Sequence, residues 1–559
     1  MVASQKRTAP HIAVLVGACL LAFAPTVRHG FLIWDDRAFI ADNPLIAQPS
    51  AANLVRLWTT PLYDLYAPLT YTLWAGLSAV FGTQPWAFHL TNVVLHVLAA
   101  CVVYAVLRRL LADHDPTAAL AGALVFAIHP LQTEAIAWAS ATKDLLSALC
   151  SVIAIHHYLL FREHARRRFY VGAFVAFACA LLAKPAAVYV PLVVLILERT
   201  LYRRDWTSTL RALTPWFVAA LAITLFTMRM QRAGRYLHYI APVWLRPVIA
   251  LDSLTFYLGK LVLPLNLIAE YTRSSQSIVS SGALAYTWIP SAAVLAAAWV
   301  LRRKHAWLAT AIAVFYATLL PVLGLVPFAF QWYSNVADHY VYPAMLGPAI
   351  GFAFLYPRLG SVARHLVIPL TVATLLPLSF VQASYWKDDA TLFSRILAVN
   401  PRSVMAHDNL GQILEQQGRL EEALVHYRAA AEDSLDGKVN VGNVLAKQGK
   451  YDEVIAHYTA ALGRLSYLEQ HTAAAAYMHN NLGVAYMRKN MLNEAAREFE
   501  LAARTAPPYT QPYLNLGSIL MSVGRYDDAA QVFRRGLAAN PTDEALRAQL
   551  AAALSRSGG

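Results

Sequence analysis

Residues 31–37 read Phe-Leu-Ile-Trp-Asp-Asp-Arg. An apolar span beginning near His11 runs into them, and where it must leave a bilayer two carboxylates follow a tryptophan. A carboxylate at membrane depth costs about 2.5–3.5 kcal/mol on insertion scales, so Asp35 and Asp36 belong at an interface or in a wet cavity. Trp34 is the kind of aromatic that sits at headgroup level. An ordinary helix end with two solvated acids accounts for the pair taken alone. What argues for a site is that at least three further polar clusters, far apart in sequence, fall on the same side of the membrane.

The 559 residues are 58% hydrophobic and only 14% charged, which excludes a soluble enzyme and leaves a polytopic membrane protein with room for one more domain. The net charge of +13 does not point to nucleic acid, because the basic residues sit in short clusters between apolar spans, as cytoplasmic loops do. Cys19, Cys101, Cys150 and Cys179 lie in apolar stretches without metal-like spacing and read as packing residues. Lys6, Arg7 and Ala22-Phe23-Ala24 imitate a secretory signal, but Pro25 follows directly and the apolar run resumes, so a retained first helix with a cytoplasmic N-terminus is expected.

About 20 apolar residues cross a bilayer. Hydropathy places about eleven spans, near 11–31, 87–107, 118–138, 143–161, 168–183, 185–199, 213–229, 284–301, 306–327, 342–357 and 365–383. Arg108 and Arg109, Arg162 with Arg166 to Arg168, Arg199 with Arg203 and Arg204, Arg302 to Lys304, and Arg358 with Arg364 then alternate correctly for the cytoplasm. Residues 249–268 would break that alternation and read as a re-entrant or interfacial element. The segment 32–86 should carry one or two helices lying along the surface.

From about residue 400 a repeat appears. Gly411, Gly442, Gly483 and Gly517 are spaced by 31, 41 and 34 residues. Seven residues beyond each stands Gly418, Gly449, Asn490 or Gly524; twelve beyond, Ala423, Val454, Ala495 or Ala529; sixteen beyond, Tyr427, Tyr458, Phe499 or Phe533. That small-and-aromatic spacing predicts four tetratricopeptide repeats, an insertion around 465–472 and a capping helix over 544–554. The fold expected is all-α: a transmembrane helix bundle over 1–385 followed by an α-solenoid over 386–559.

The external segments hold the chemistry. Asp35 and Asp36 suit a general base, or a group orienting a nucleophilic hydroxyl. Lys143, Lys184, Arg235 and His339 suit an anionic leaving group, which needs positive partners in a partly dry site. His129 and Glu134 suit a substrate contact or support for the acids; Asp144, Asp338 and Tyr340 complete the set. Each has an ordinary structural reading beside it: His129 caps a helix before Pro130, Lys184 snorkels, and Asp338 pairs locally. There is no gathered set of metal ligands and no cofactor is expected, although the acid pair has the chemistry to hold a divalent ion.

Trp34-Asp35-Asp36 at the end of the first span, HPLQTEAIAWASATKDLL (129–146), LLAKPAAVYVPLVVLILE (181–198) and VADHYVYPAMLG (336–347), followed by the repeats, resemble the transmembrane-and-tetratricopeptide proteins related to protein O-mannosyltransferases, of the C-type glycosyltransferase (GT-C) fold. The resemblance implies inverting transfer of a sugar, typically mannose, from a polyprenyl-phosphate lipid to an acceptor hydroxyl outside the cytoplasm. It puts catalysis on the acid pair, here Asp35 and Asp36. Relatives of this pattern often carry arginine where this chain has His339, and near Lys143; neither lysine nor histidine matches arginine's bidentate hold on phosphate. The reading that results is a glycosyltransferase of the bacterial inner membrane facing the periplasm (or the endoplasmic reticulum lumen in a eukaryote), with repeats that recruit an acceptor protein or glycan, membrane lipids around it and no nucleic acid. A non-catalytic membrane scaffold for an envelope complex competes with it, and a lipid-linked glycan flippase ranks behind both.

Overall fold

The computed structural model describes residues 8–557 apart from 64, 113, 231–239 and 468. These residues are helical almost throughout, and the β-pairing among them is an isolated bridge between Leu62 and Leu65. The chain divides into two compact units, residues 1–399 and 400–559.

In the first unit the expected spans are largely helical, and length and composition bear out about six of the eleven as crossings. Six helices among the described residues are long and apolar enough to cross a bilayer: Thr8–Arg28, Pro85–Leu110, Ala139–His164, Trp206–Met230, Ala283–Leu301 and Ser361–Ser384. The bent pair Pro116–Ile128 and Pro130–Ala137 makes a seventh if taken as one span. The reason is length. At 1.5 Å per residue, Val190–Thr200 with 11 residues and Leu346–Leu355 with 10 are short of the roughly 30 Å hydrocarbon core. Prolines set these limits: Pro185, Pro191 and Pro343 stand at helix starts, where the missing N–H is harmless.

Outer helices turn apolar side chains outward. Val218, Leu221 and Leu225 on one, and Val362, Leu366 and Leu370 on another, are exposed, as befits helices solvated by lipid in a multi-pass membrane protein. Pro116–Ile128 is the opposite, with Ala118 through Ile128 all buried. It approaches its neighbours through small residues: a Cβ on Gly122 would overlap the Ala349 carbonyl, and one on Gly347 that of Ala311.

Where Pro130 ends this helix the chain bends by 50°. The carbonyls freed at the bend are taken by three side chains: Gln132 Nε2 donates to Phe126 (3.0 Å), His96 Nε2 to Ala127 (2.8 Å) and Ser379 Oγ to Ile128 (2.8 Å). Residues 249–268 supply helix Arg246–Val262 and an irregular stretch. Asp252 on that helix is buried, and Arg273 Nη2 meets its oxygens at 2.6 and 2.8 Å. The segment after Trp34 contributes helices Pro44–Ala47, Ala51–Thr59 and Pro68–Phe81.

The second unit is four helix hairpins: Val404–Gln416 with Leu420–Ala431, Leu435–Lys447 with Tyr451–Leu462, Ala473–Arg488 with Leu492–Thr505, and Gln511–Ser522 with Tyr526–Ala539, then Glu544–Ser557. The spacing has a physical basis. A Cβ on Gly411, Gly442, Gly483 or Gly517 would strike the ring of Tyr427, Tyr458, Phe499 or Phe533, so the aromatic at position sixteen fills the space the glycine leaves. The turn residues Gly418, Gly449 and Gly524 have φ of +75 to +77°, and Asn490, at +61°, takes the same left-handed turn. The insertion is the 3-10 turn Glu469–His471 ahead of the third hairpin.

Candidate active site

The acid loop leaves the first span at Arg28 and the two acids fare differently. Asp36 is fully buried; its Oδ1 accepts from Ser140 N–H (2.8 Å) and its Oδ2 from Leu32 N–H (3.0 Å). Burial pushes its pKa up to about 6, opposed by those donors. Asp36 therefore ties the loop to the turn Ala139–Ala141 and has both oxygens committed. Asp35, partly buried, makes no hydrogen bond or ion pair among the described residues. Burial raises its pKa, and the Lys143 ammonium pulls it back.

Behind the loop lie the residues of the 129–146 motif. Lys143 donates to the Ser140 carbonyl (2.8 Å) with its ammonium over the Trp138 ring, 4.8 Å from the centroid. One bond from an ammonium leaves two N–H donors uncommitted. Lys184, at the end of helix Arg167–Ala183, binds Asp144 Oδ1 at 2.5 Å and stands 5.5 Å from the Tyr340 ring centroid. Glu134 holds the turn Asp338–Val341: one oxygen accepts the Asp338 N–H (3.1 Å), and the other lies 2.6 Å from His339 Nδ1, a distance that requires a shared proton. Asp338 accepts from the Tyr271 hydroxyl at 2.9 Å; burial pushes its own pKa upward.

Trp138 joins these groups. It stacks on Trp34 (centroids 5.5 Å apart, planes at 23°) and meets His339 edge-on at 5.6 Å. Asp35, Asp36, Glu134, Lys143, Asp144, Lys184, Asp338, His339 and Tyr340 are thus linked through one set of contacts. His129 is used otherwise. Its Nδ1 accepts from Leu131 N–H and its Nε2 reaches the Leu261 carbonyl at 3.1 Å, so it caps the Pro130 turn and lines an apolar groove of about 730 Å³ with Val125, Phe352 and Leu370. Arg235 lies outside the described residues.

Sequence reasoning overlooked Trp138, Tyr271 and Asp389. Trp138 stood inside a quoted motif, but an aromatic in so apolar a chain has no contrast. Tyr271 and Asp389 act across 67 and 356 residues, beyond any local pattern. Between residues 132 and 144 four buried atoms lack a hydrogen-bond partner: Gln132 Oε1, Thr133 Oγ1, Trp138 Nε1 and Asp144 Oδ2. In most proteins buried polar atoms are paired, so this concentration sets 132–144 apart from the apolar packing around it. No group of three metal-type ligands occurs among the described residues.

A family model described as dolichyl-phosphate-mannose-protein mannosyltransferase matches residues 66–229, and tetratricopeptide-repeat models match 386–436, 441–510 and 510–553. The first match takes in Glu134, Lys143, Asp144 and Lys184. Protein O-mannosyl-transferase Tmtc3 of Drosophila melanogaster is 24% identical over 91% of this chain and 65% of its own length, so the likeness runs through both units. Protein O-mannosyl-transferase F38B6.6 of Caenorhabditis elegans is 20% identical over 75% of this chain and 62% of itself. Drosophila Tmtc1 is 34% identical over 30% of this chain and 20% of itself. A solved tetratricopeptide protein with an unusual peptide-binding site, YrrB, is 17% identical at a TM-score of 0.24, covering 31% of this chain and 82% of that one. The chain spans 65% or less of the length of these three relatives.

Fold and sequence together define a multi-pass helical membrane protein that ends in a tetratricopeptide array. In both of its units it is similar to the protein O-mannosyl-transferase relatives just named.

Proposed function

We propose that this protein is a membrane glycosyltransferase moving a sugar, mannose by the relatives' names, from a polyprenyl phosphate to an acceptor hydroxyl on the non-cytoplasmic side. The observation that carries the reading is the division of labour in the acid pair: Asp36 is pinned by two backbone donors, while Asp35 is left unpaired beside Lys143. In the step proposed, Asp35 takes the proton as the acceptor oxygen attacks the anomeric carbon from the face opposite the phosphate. The bond from that carbon to the phosphate oxygen breaks, and the leaving phosphate gains the negative charge that Asp35 loses. Lys143, with two uncommitted donors, is the first cation for it, and Lys184 the second. The unpartnered polar atoms of 132–144 suit a ligand rich in hydroxyls. The acceptor is recruited by the repeats.

Sidedness is part of the proposal. Arg109 bonds to Glu163, and Arg162 and Arg204 both meet Glu198, so members of three of the five basic clusters pair with acids of the neighbouring helix ends, which supports one cytoplasmic end for them. A reporter active only in the cytoplasm and fused after Gly559 should be silent. The chemistry is tested with purified full-length protein, labelled dolichyl-phosphate mannose and a serine/threonine peptide. Transfer by the wild type and its loss in Asp35→Asn support the reading; equal transfer by both removes Asp35 from it.

A further inference from the structure

The loop bearing Asp35 has two anchors, and only one has been assigned. Asp36 holds it through Leu32 and Ser140. The other anchor arrives from the far end of the unit, where the last span is finished. Gly30 N–H donates to the Lys387 carbonyl at 3.2 Å, and Ile33 N–H donates to Asp389 Oδ1 at 2.8 Å, across 356 residues of sequence. Trp386, buried, lies 6.3 Å from Trp138, which itself stacks on Trp34. Residues 386–389 therefore form a strap across residues 30–34.

The local sequence suits this. Helix Asp389–Val399 starts at the strap, and its N-cap duty falls to Asp388, whose Oδ1 accepts from the Thr391 N–H (2.9 Å) and hydroxyl (2.6 Å). The neighbouring Asp389 is thereby released from the helix and turned toward Ile33. Its carboxylate serves as a hydrogen-bond acceptor, a task an amide oxygen also performs.

We propose that Asp389 is a positioning residue for the transfer reaction: by holding the Ile33 amide it fixes the loop on which Asp35 stands. The inference rests on Asp35 being the base. It makes the first residues matched by the repeat model (386–436) part of the active-site wall as well.

The test uses the purified full chain in lipid nanodiscs, with dolichyl-phosphate mannose as donor and a serine/threonine peptide as acceptor. Asp389→Ala should lower kcat about 10- to 100-fold, the scale of a base displaced by about 1 Å, and leave the donor KM close to wild type. Asp389→Asn should recover most of the rate. Wild-type kcat in the Ala variant overturns the proposal. So does an Asn variant as slow as Ala, because the carboxylate would then be acting chemically. Should Ala not accumulate, the Asn variant decides alone on the same criterion. Hydrogen exchange at the Leu32 and Ile33 amides gives a readout independent of activity: faster in Ala than in wild type and restored in Asn, or, if unchanged in Ala, fatal to the strap. A wild type that transfers nothing while exchange behaves as expected would sink the base assignment and leave the strap standing.

Discussion

Two carboxylates of the membrane unit, the buried Glu198 and the partly buried Asp35, are handled in opposite ways. Glu198 is 1% exposed and fully partnered: Arg162 Nη2 at 2.8 Å, Arg204 Nε at 3.6 Å and the Thr209 hydroxyl at 3.4 Å. Asp35 has a lysine near enough to stabilise its charge, yet that lysine gives its hydrogen bond to the Ser140 carbonyl. A buried carboxylate is tolerated when its lone pairs are met, and its removal then strands the partner cations. If Asp35 is the proposed base, hydrogen-bond pairing separates it from a structural acid such as Glu198.

The largest expected effect breaks or sustains this contrast directly. Asp35→Asn should cut transfer by about 10²–10⁴-fold with the melting temperature unchanged or slightly raised, measured by labelled-sugar transfer beside thermal unfolding. Glu198→Gln should do the reverse, costing about 3–5 kcal/mol of stability with kcat of the folded fraction near wild type. If Glu198→Gln is the catalytic lesion and Asp35→Asn the folding lesion, the comparison is inverted. A smaller effect sharpens it. Because the base must be deprotonated, kcat should rise with pH through a pKa above the usual carboxylate range of about 4. Lys143 lowers that pKa, so Lys143→Met should move the acid limb upward; a limb that stays put or moves down separates Lys143 from the base. Smallest of all, Arg204 is 36% exposed and the more distant partner of Glu198, so Arg204→Met should cost at most about 1 kcal/mol in unfolding measurements.

The parts of the fold that were legible in the sequence are those set by local periodicity. The repeats could be read because Gly442 and Tyr458, or Gly517 and Phe533, must sit sixteen residues apart for the ring to enter the gap. Helical segments in the membrane unit could be read from hydropathy, but not which of them cross, since Val190–Thr200 and Leu346–Leu355 are apolar and too short. At the site, the motifs pointed to Lys143, Lys184 and His339 by their charge, and the structure brings these together. The split between Asp35 and Asp36 was invisible, because it depends on the Ser140 amide arriving from 104 residues away. For His129 the capping role before Pro130 is legible locally, whereas the Leu261 carbonyl that meets its second nitrogen lies 132 residues away.

The bend at Pro130 bears on how loss-of-function substitutions in this chain should be interpreted. His96, Gln132 and Ser379 each close one main-chain carbonyl there, and of the three only Gln132 also carries an atom, Oε1, of the unpartnered set in 132–144. In a saturation screen scored by product alone, changes at these three positions would look as damaging as changes at Asp35, and a histidine among them would invite a catalytic story. Scored for protein abundance in the membrane as well, they should separate. Variants of His96 and Ser379 would be missing from the membrane fraction, whereas Asp35 variants would be present and silent.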